Sequence, residues 1–229
     1  MAEVSSKNMK VLVDQHYLAA TSIVSKYPNS RSAVLPLLFL VQGIEGHVTD
    51  QGMRDVAELL GLTPAEVLAS GSFYTMLKKK PQGEYLVSVC RNISCTHTGA
   101  RKVIRALEEH LGIEAGETTE DGRFSLEAAE CLATCDGAPS MQVNYEDFYK
   151  VSPDEAVEIV DRLARGEVVL SVRGEPVKTS KEVSHETATA GIRRPMTEME
   201  DLPTVGGESF NLGDGPGVRP KVMGKEQDD

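Results

Sequence analysis

Basic residues are scarce in this 229-residue chain: Lys and Arg number 24 against 35 Asp and Glu, a formal charge of −11. A surface of that sign repels phosphate backbones, which argues against generic nucleic-acid binding. Long apolar runs are missing as well. The most apolar stretch, Ala33 to Val41, is broken by Pro36 and falls far short of the roughly 20 residues a membrane span needs. The opening residues, Met1-Ala2-Glu3-Val4-Ser5-Ser6-Lys7, lack the apolar segment of a secretory signal. Cysteine occurs four times, too rarely for a disulfide-built scaffold of this length. Tryptophan is absent and aromatic residues make up 5%. What is present is 40% apolar and 26% charged residues, enough for one ample domain or two small ones. The expectation is a soluble, cytoplasmic protein of a reducing compartment.

Composition divides the chain into three parts, 1–80, 81–170 and 171–229. The first reads as helical throughout. Lys10 to Lys26 places Val13, Tyr17, Ala20, Ile23 and Val24 near a 3.6-residue period. A second helix is expected from about Ser32 to Gln42, with Pro36 in its first turn, where a missing N–H is tolerated. A third follows Thr49 and ends at Gly61. Thr63-Pro64-Ala65-Glu66 is a capping box that opens a fourth. The last two resemble a helix-turn-helix, but the acidic balance and the lack of a basic stripe favour packing against protein.

The second part changes character. Tyr85 to Val89 reads as a buried strand, Thr98 to Leu111 as a helix, and Phe124-Ser125-Leu126-Glu127-Ala128 and Met141 to Tyr145 as alternating strands. Phe148 to Val151 suggests a short fourth strand, and Ser152-Pro153-Asp154-Glu155 caps a final helix. The order is β-α-β-β-β-α. The first crossover predicts parallel strands, the later hairpin antiparallel ones. Pro139, just before the third strand, suggests a cis Ala138–Pro139 bond.

Residues 171–229 hold 13 of the 31 Gly and Pro and one aromatic, Phe210. Such composition predicts an extended or disordered tail. Its spaced apolar residues, Ile192, Met196, Met199, Leu202, Val205, Phe210 and Leu212, suit wrapping over a partner.

All four cysteines lie in the middle part, as C-x4-C (Cys90, Cys95) and C-x3-C (Cys131, Cys135) with 35 residues between. Each pair follows a strand. If those strands are parallel, both pairs emerge at one carboxyl edge of the sheet. Several chemistries are open to four such thiols. Disulfides would suit an oxidising compartment. Structural zinc prefers C-x2-C turns that set two sulfurs around one small ion. A [2Fe–2S] cluster also takes four thiolates, and wider loops can wrap it. Unrelated buried thiols are the bland alternative. Small residues at Ala133, Thr134, Gly137 and Ala138 allow close backbone approach. Cys95-Thr96-His97 is half of a Rieske pattern, but no His follows Cys131 or Cys135 closely. No G-x-G-x-x-G follows a strand, so no dinucleotide site is expected here.

Val89-Cys90 with Cys95 and Gly99, then Glu130-Cys131-Leu132-Ala133-Thr134-Cys135 with Ala138-Pro139, resemble the 24 kDa family of subunits of respiratory complex I, the NADH-quinone oxidoreductase. Ser32 to Leu38 resembles that family's second helix, and Ser72-Phe73-Tyr74-Thr75-Met76 its helical-domain ending. The likeness covers roughly residues 10–166; the family usually has Gly where this chain has Ala133. The resemblance implies an α+β chain: an N-terminal helical bundle (1–80), a thioredoxin-like ferredoxin domain (81–170) and an extended C-terminal tail (171–229). It implies one [2Fe–2S] cluster on Cys90, Cys95, Cys131 and Cys135, and a larger partner of the 51 kDa type that binds FMN and NADH, beside other peripheral-arm subunits. The chain itself would be a non-nucleotide-binding electron carrier, peripheral on the inner face of the cell membrane through the complex. The same module occurs in NAD-linked hydrogenases and formate dehydrogenases. A zinc-bearing interaction protein is the distant alternative.

Overall fold

The computed structural model describes residues 9–190. Four helices lead: α1 (Asp14–Ser25), α2 (Val34–Glu45), α3 (Asp50–Leu60) and α4 (Pro64–Phe73). α2 is apolar around most of its circumference, burying Val34, Leu37, Leu38, Leu40 and Val41, as expected of a helix surrounded by protein. Pro36 falls within its first turn, where no intrahelical acceptor is lost. The α4 capping box forms as the sequence predicts: Thr63 and Glu66 satisfy each other's backbone N–H groups.

α1 starts at Asp14, not Lys10, because the preceding segment is held in a bend. The side chain of Asp55 on α3, 1% exposed, accepts the backbone N–H groups of Lys10, Val11 and Leu12 at 2.9, 2.7 and 3.0 Å. Three donors drawn to one oxygen favour this local geometry over the first helical turn.

The second half is a four-stranded sheet in the order β2-β1-β3-β4, from β1 (Tyr85–Cys90), β2 (Phe124–Ala129), β3 (Met141–Val143) and β4 (Glu146–Phe148). β1 and β2 are parallel, in the register Val87↔Leu126 and Cys90↔Ala129; β1–β3 and β3–β4 are antiparallel. A short helix, α5 (Ile93–Thr98), precedes α6 (Ala100–Leu111), and α7 (Pro153–Ala164) follows the sheet. Val87, Val89, Leu126, Met141 and Val143 meet Val103 and Leu107 of α6 and Val160 and Leu163 of α7 in one core. The Ser152–Glu155 capping box opens α7.

The fourth strand is displaced from the expected Phe148–Val151 to Glu146–Phe148. Asn144 and Tyr145 both have positive φ, 48° and 73°, the pattern of a two-residue primed hairpin turn. No Asn-Gly marks it. The cost is offset by the Asn144 side chain, which accepts from Leu86 N at 2.8 Å and donates to the carbonyls of Glu84 and Lys178 at 2.9 and 2.7 Å.

The tail expected from residue 171 needs correction over its first twenty residues. Leu170 and Pro176 form an antiparallel bridge, and α8 (Ser180–Thr189) packs along α2. Thr179 and Glu182 form a third capping box, a signal that the sequence carries. α8 buries only Ser184 and Ala188, so it lacks the apolar period that would have revealed it. Gly43 allows the close approach: a Cβ there would lie 3.0 Å from the backbone nitrogen of His185. Gln42 donates to Ser184 Oγ at 3.0 Å and to the Met76 carbonyl at 3.1 Å, and accepts from Lys78 N at 2.7 Å. Residues 9–190 form one compact unit. The apolar residues from Ile192 to Leu212 lie outside the described residues.

Candidate metal centre

Parallel pairing of β1 and β2 brings together two cysteine pairs that lie far apart in sequence. Cys90 is the last residue of β1, opposite Ala129 at the end of β2. From these neighbouring ends the two cysteine loops leave side by side. The first loop is short because Asn92 caps α5, its side chain accepting from Ile93 N at 2.7 Å. That helix places Cys95 one turn on and in the interior. Cys90 is 3% exposed and Cys95 1%.

The second loop holds its cysteines outward: Cys131 and Cys135 are exposed. Ala133 turns the chain with a left-handed φ of 59°, a conformation that favours glycine. Its backbone N–H points at Cys131 Sγ, 3.4 Å away. Cys135 opens a single 3-10 turn ending at Gly137. Gly137 is buried under Tyr149; a Cβ there would lie 2.7 Å from the ring carbon Cδ1. The Ala138–Pro139 bond that follows is cis, as the sequence suggested. Across the mouth of the two loops, Arg91 and Glu130 form an exposed ion pair of 2.6 Å.

Burial pushes the Cys95 thiol up; the backbone N–H of Ser140 pulls the other way, and the neighbouring sulfurs of Cys90 and Cys135 raise it further. Among the described residues, no three His, Cys, Asp or Glu side chains converge as the ligands of a single ion would. His97 is exposed on α5.

Two residues near the thiols carried no chemical signal in the sequence. Ser140, 1% exposed, accepts the Cys90 backbone N–H through its carbonyl at 3.1 Å. Its hydroxyl pairs with that of Thr134 at 2.5 Å. Ile93, between Cys90 and Cys95, is 79% exposed, an apolar side chain standing in solvent beside the thiols. Among the described residues, no helix is long and apolar enough to cross a membrane.

Residues 20–164 match the family described as thioredoxin-like [2Fe-2S] ferredoxin. A NADH-quinone oxidoreductase subunit of Mycobacterium bovis, the one lettered E, is 44% identical over 176 residues, covering 77% of this chain and 70% of that protein. NADH-quinone oxidoreductase subunit 2 of Thermus thermophilus is 42% identical over 126 residues, 54% of this chain and 70% of that one. Among solved structures, a chain of an NAD+-reducing [NiFe]-hydrogenase in the H2-reduced state superposes with a TM-score of 0.53 over 58% of this chain and 22% of its own, at 19% identity. At that identity the likeness speaks to the fold.

Proposed function

Starting from a chain that belongs to the thioredoxin-like [2Fe–2S] ferredoxin family, we propose that it is the electron-transfer subunit of an NADH:quinone oxidoreductase, holding one [2Fe–2S] cluster on Cys90, Cys95, Cys131 and Cys135. The observation that carries this reading is the placement of both cysteine pairs at the carboxyl edge of one sheet. The donor set fits the group: four sulfurs on adjacent loops, with small residues and a backbone N–H around the exposed pair. Cys90 with Cys95 would serve one iron, Cys131 with Cys135 the other. When bound, such a cluster supplies one-electron chemistry, here exchanged with the FMN of an NADH-binding partner of the 51 kDa type. The protein's own contribution is position and potential.

The chain's residues divide that work. Burial of Cys90 and Cys95 excludes water from one side of the site. Exposure of Cys131, Cys135 and Ile93 leaves the other side open to a partner. Electron carriers need such an open edge, and an exposed isoleucine is the kind of residue a docked protein would cover. The assembly would be cytoplasmic and attached to the membrane face through its other subunits.

Purified full-length chain should be red-brown and give the EPR signal of a reduced binuclear cluster. Cys131→Ala should lose or severely destabilise the iron. Full iron content and an unchanged signal in that variant would sink the assignment, and a colourless zinc protein would replace the reading outright. An NAD-linked hydrogenase or formate dehydrogenase uses the same module. The identity of the copurifying subunits separates these assemblies, and the 44% identity to a NADH-quinone oxidoreductase component favours the first.

A further inference from the structure

Ser140 makes hydrogen bonds to both halves of the cysteine set. Its carbonyl accepts the N–H of Cys90, the last residue of β1, at 3.1 Å. Its side chain bonds Thr134 Oγ1, inside the Cys131–Cys135 loop, at 2.5 Å. Among the described residues, this is the side-chain hydrogen bond that ties that loop to the start of β3. The loop's other bonds do not involve a second side-chain oxygen: Ala133 N to Cys131 Sγ, Gly137 N to the Thr134 carbonyl and Ala138 N to the Cys135 carbonyl are local, and just past the loop the Gly137 carbonyl accepts from Lys150 N at 2.7 Å. Ser140 is 1% exposed, so its hydroxyl has little access to water and depends on Thr134 as its partner.

We propose that the Thr134–Ser140 hydroxyl pair is a positioning device, which fixes the exposed Cys131–Cys135 loop against the buried Cys90–Cys95 half and thereby sets how firmly iron is held and at what potential it is reduced. The inference rests on the cluster reading above and goes beyond it, because it assigns two residues that are not ligands. Groups around a ligand orient it and tune the metal it holds, and hydrogen bonding near cluster sulfurs is one of the levers on potential. Neither Thr134 nor Ser140 contacts iron in this proposal. They act through the position of Cys131 and Cys135.

The test uses the full chain with its cluster, as wild type, Thr134→Val, Thr134→Ser, Ser140→Ala and the double variant of Thr134→Val with Ser140→Ala. Three quantities are followed: bleaching of the visible band by a chelator, midpoint potential, and thermal melting of the metal-free protein. Thr134→Val and Ser140→Ala should bleach about five- to tenfold faster, the scale of one lost buried hydrogen bond, with displaced potentials. The double variant should be no worse than either alone, since both changes remove one interaction. Thr134→Ser keeps the hydroxyl and should match the wild type in bleaching and potential. The proposal is overturned if Thr134→Val and Ser140→Ala match the wild type in bleaching and potential, or if Thr134→Ser behaves like Thr134→Val. It is overturned equally if the variants lower only the melting temperature of the metal-free chain, which is what a purely structural bond would do. A wild-type chain that binds no iron would instead remove the cluster reading itself, so the two failures are distinguishable.

Discussion

Replacing Asp55 by alanine tests the anchoring of the N-terminal segment most directly. One carboxylate oxygen accepts three consecutive backbone N–H groups, from Lys10, Val11 and Leu12, and the other accepts Gln51 Nε2 at 2.7 Å. Lys10 is exposed, so its N–H can turn to water. Val11 and Leu12 are 7% and 0% exposed and have no such recourse. Each orphaned buried donor costs about 1–3 kcal/mol, which puts Asp55→Ala at about 2–6 kcal/mol if the segment stays in place. The alternative is that residues 9–12 peel away, giving up the burial of Met9, Val11 and Leu12. Burying each such side chain fully is worth about 1.5–3 kcal/mol. The cheaper route sets the outcome, so the loss should be about 2–5 kcal/mol, a large share of the roughly 5–15 kcal/mol that holds a domain together.

Asp55→Asn keeps an acceptor oxygen but loses the charge-assisted strength of the bonds, and should cost about 1–2 kcal/mol. Urea unfolding of the metal-free chain measures both variants, and hydrogen exchange at Val11 and Leu12 tells the two routes apart. If the segment peels, exchange there becomes fast well below the unfolding midpoint. A stability for Asp55→Ala within about 0.5 kcal/mol of wild type, the range of an ordinary surface change, would refute the anchoring argument.

Three further outcomes are expected. Ala133→Gly should stabilise the metal-free chain by about 0.5–1 kcal/mol in thermal melts, because a left-handed non-Gly residue costs roughly 1–2 kcal/mol and added unfolded-state freedom returns part of the gain; a lower melting temperature would contradict the φ of 59°. Gly137→Ala forces a methyl against the Tyr149 ring and should cost about 1–3 kcal/mol, with an altered Tyr149 environment visible by NMR; an unperturbed ring signal would count against the packing described. Bonds from Thr63 and Arg31 hold the Glu66 carboxyl down at about 2, against an ordinary 4.5. Its folded-state value lies below its unfolded one, so its contribution is present above about pH 4.5 and disappears as pH falls toward 2. Carboxyl-detected NMR titration checks this, and a Glu66 midpoint at 4.5 would contradict it.

Strong periodicity and strong punctuation were readable in the sequence. β1, β2, α6 and α7 declare themselves through alternation, a 3.6-residue period or a capping box, and the parallel pairing of β1 with β2 follows from the crossover between them. The cysteine edge was legible for the same reason, since each pair follows a strand. What escaped depends on polar side chains doing tertiary work. Asp55 reads as part of a solvated helix face until three backbone donors are seen around it. Asn144-Tyr145 makes a hairpin turn without glycine, so β4 begins two residues before the sequence pattern implies. α8 buries serine and alanine against Gly43, leaving no apolar stripe to detect. Ser140 reads as a spacer before a strand, and only the fold reveals that it faces both cysteine loops.

The packing of α8 on α2 has a consequence for how the chain is made. Gln42 and Ser184, which meet across that contact, are 142 positions apart, and the whole sheet is encoded between them. At synthesis rates of about 5–20 residues per second, that face of α2 emerges and waits roughly 7–30 s for its cover. During this interval the helical half is an open structure with one side unfinished, whatever the speed of its local folding. Contacts of such long sequence separation are slow to close. The two halves of this protein therefore mature together: the first helices translated are sealed by the last described one, after the cysteine-bearing sheet has been made.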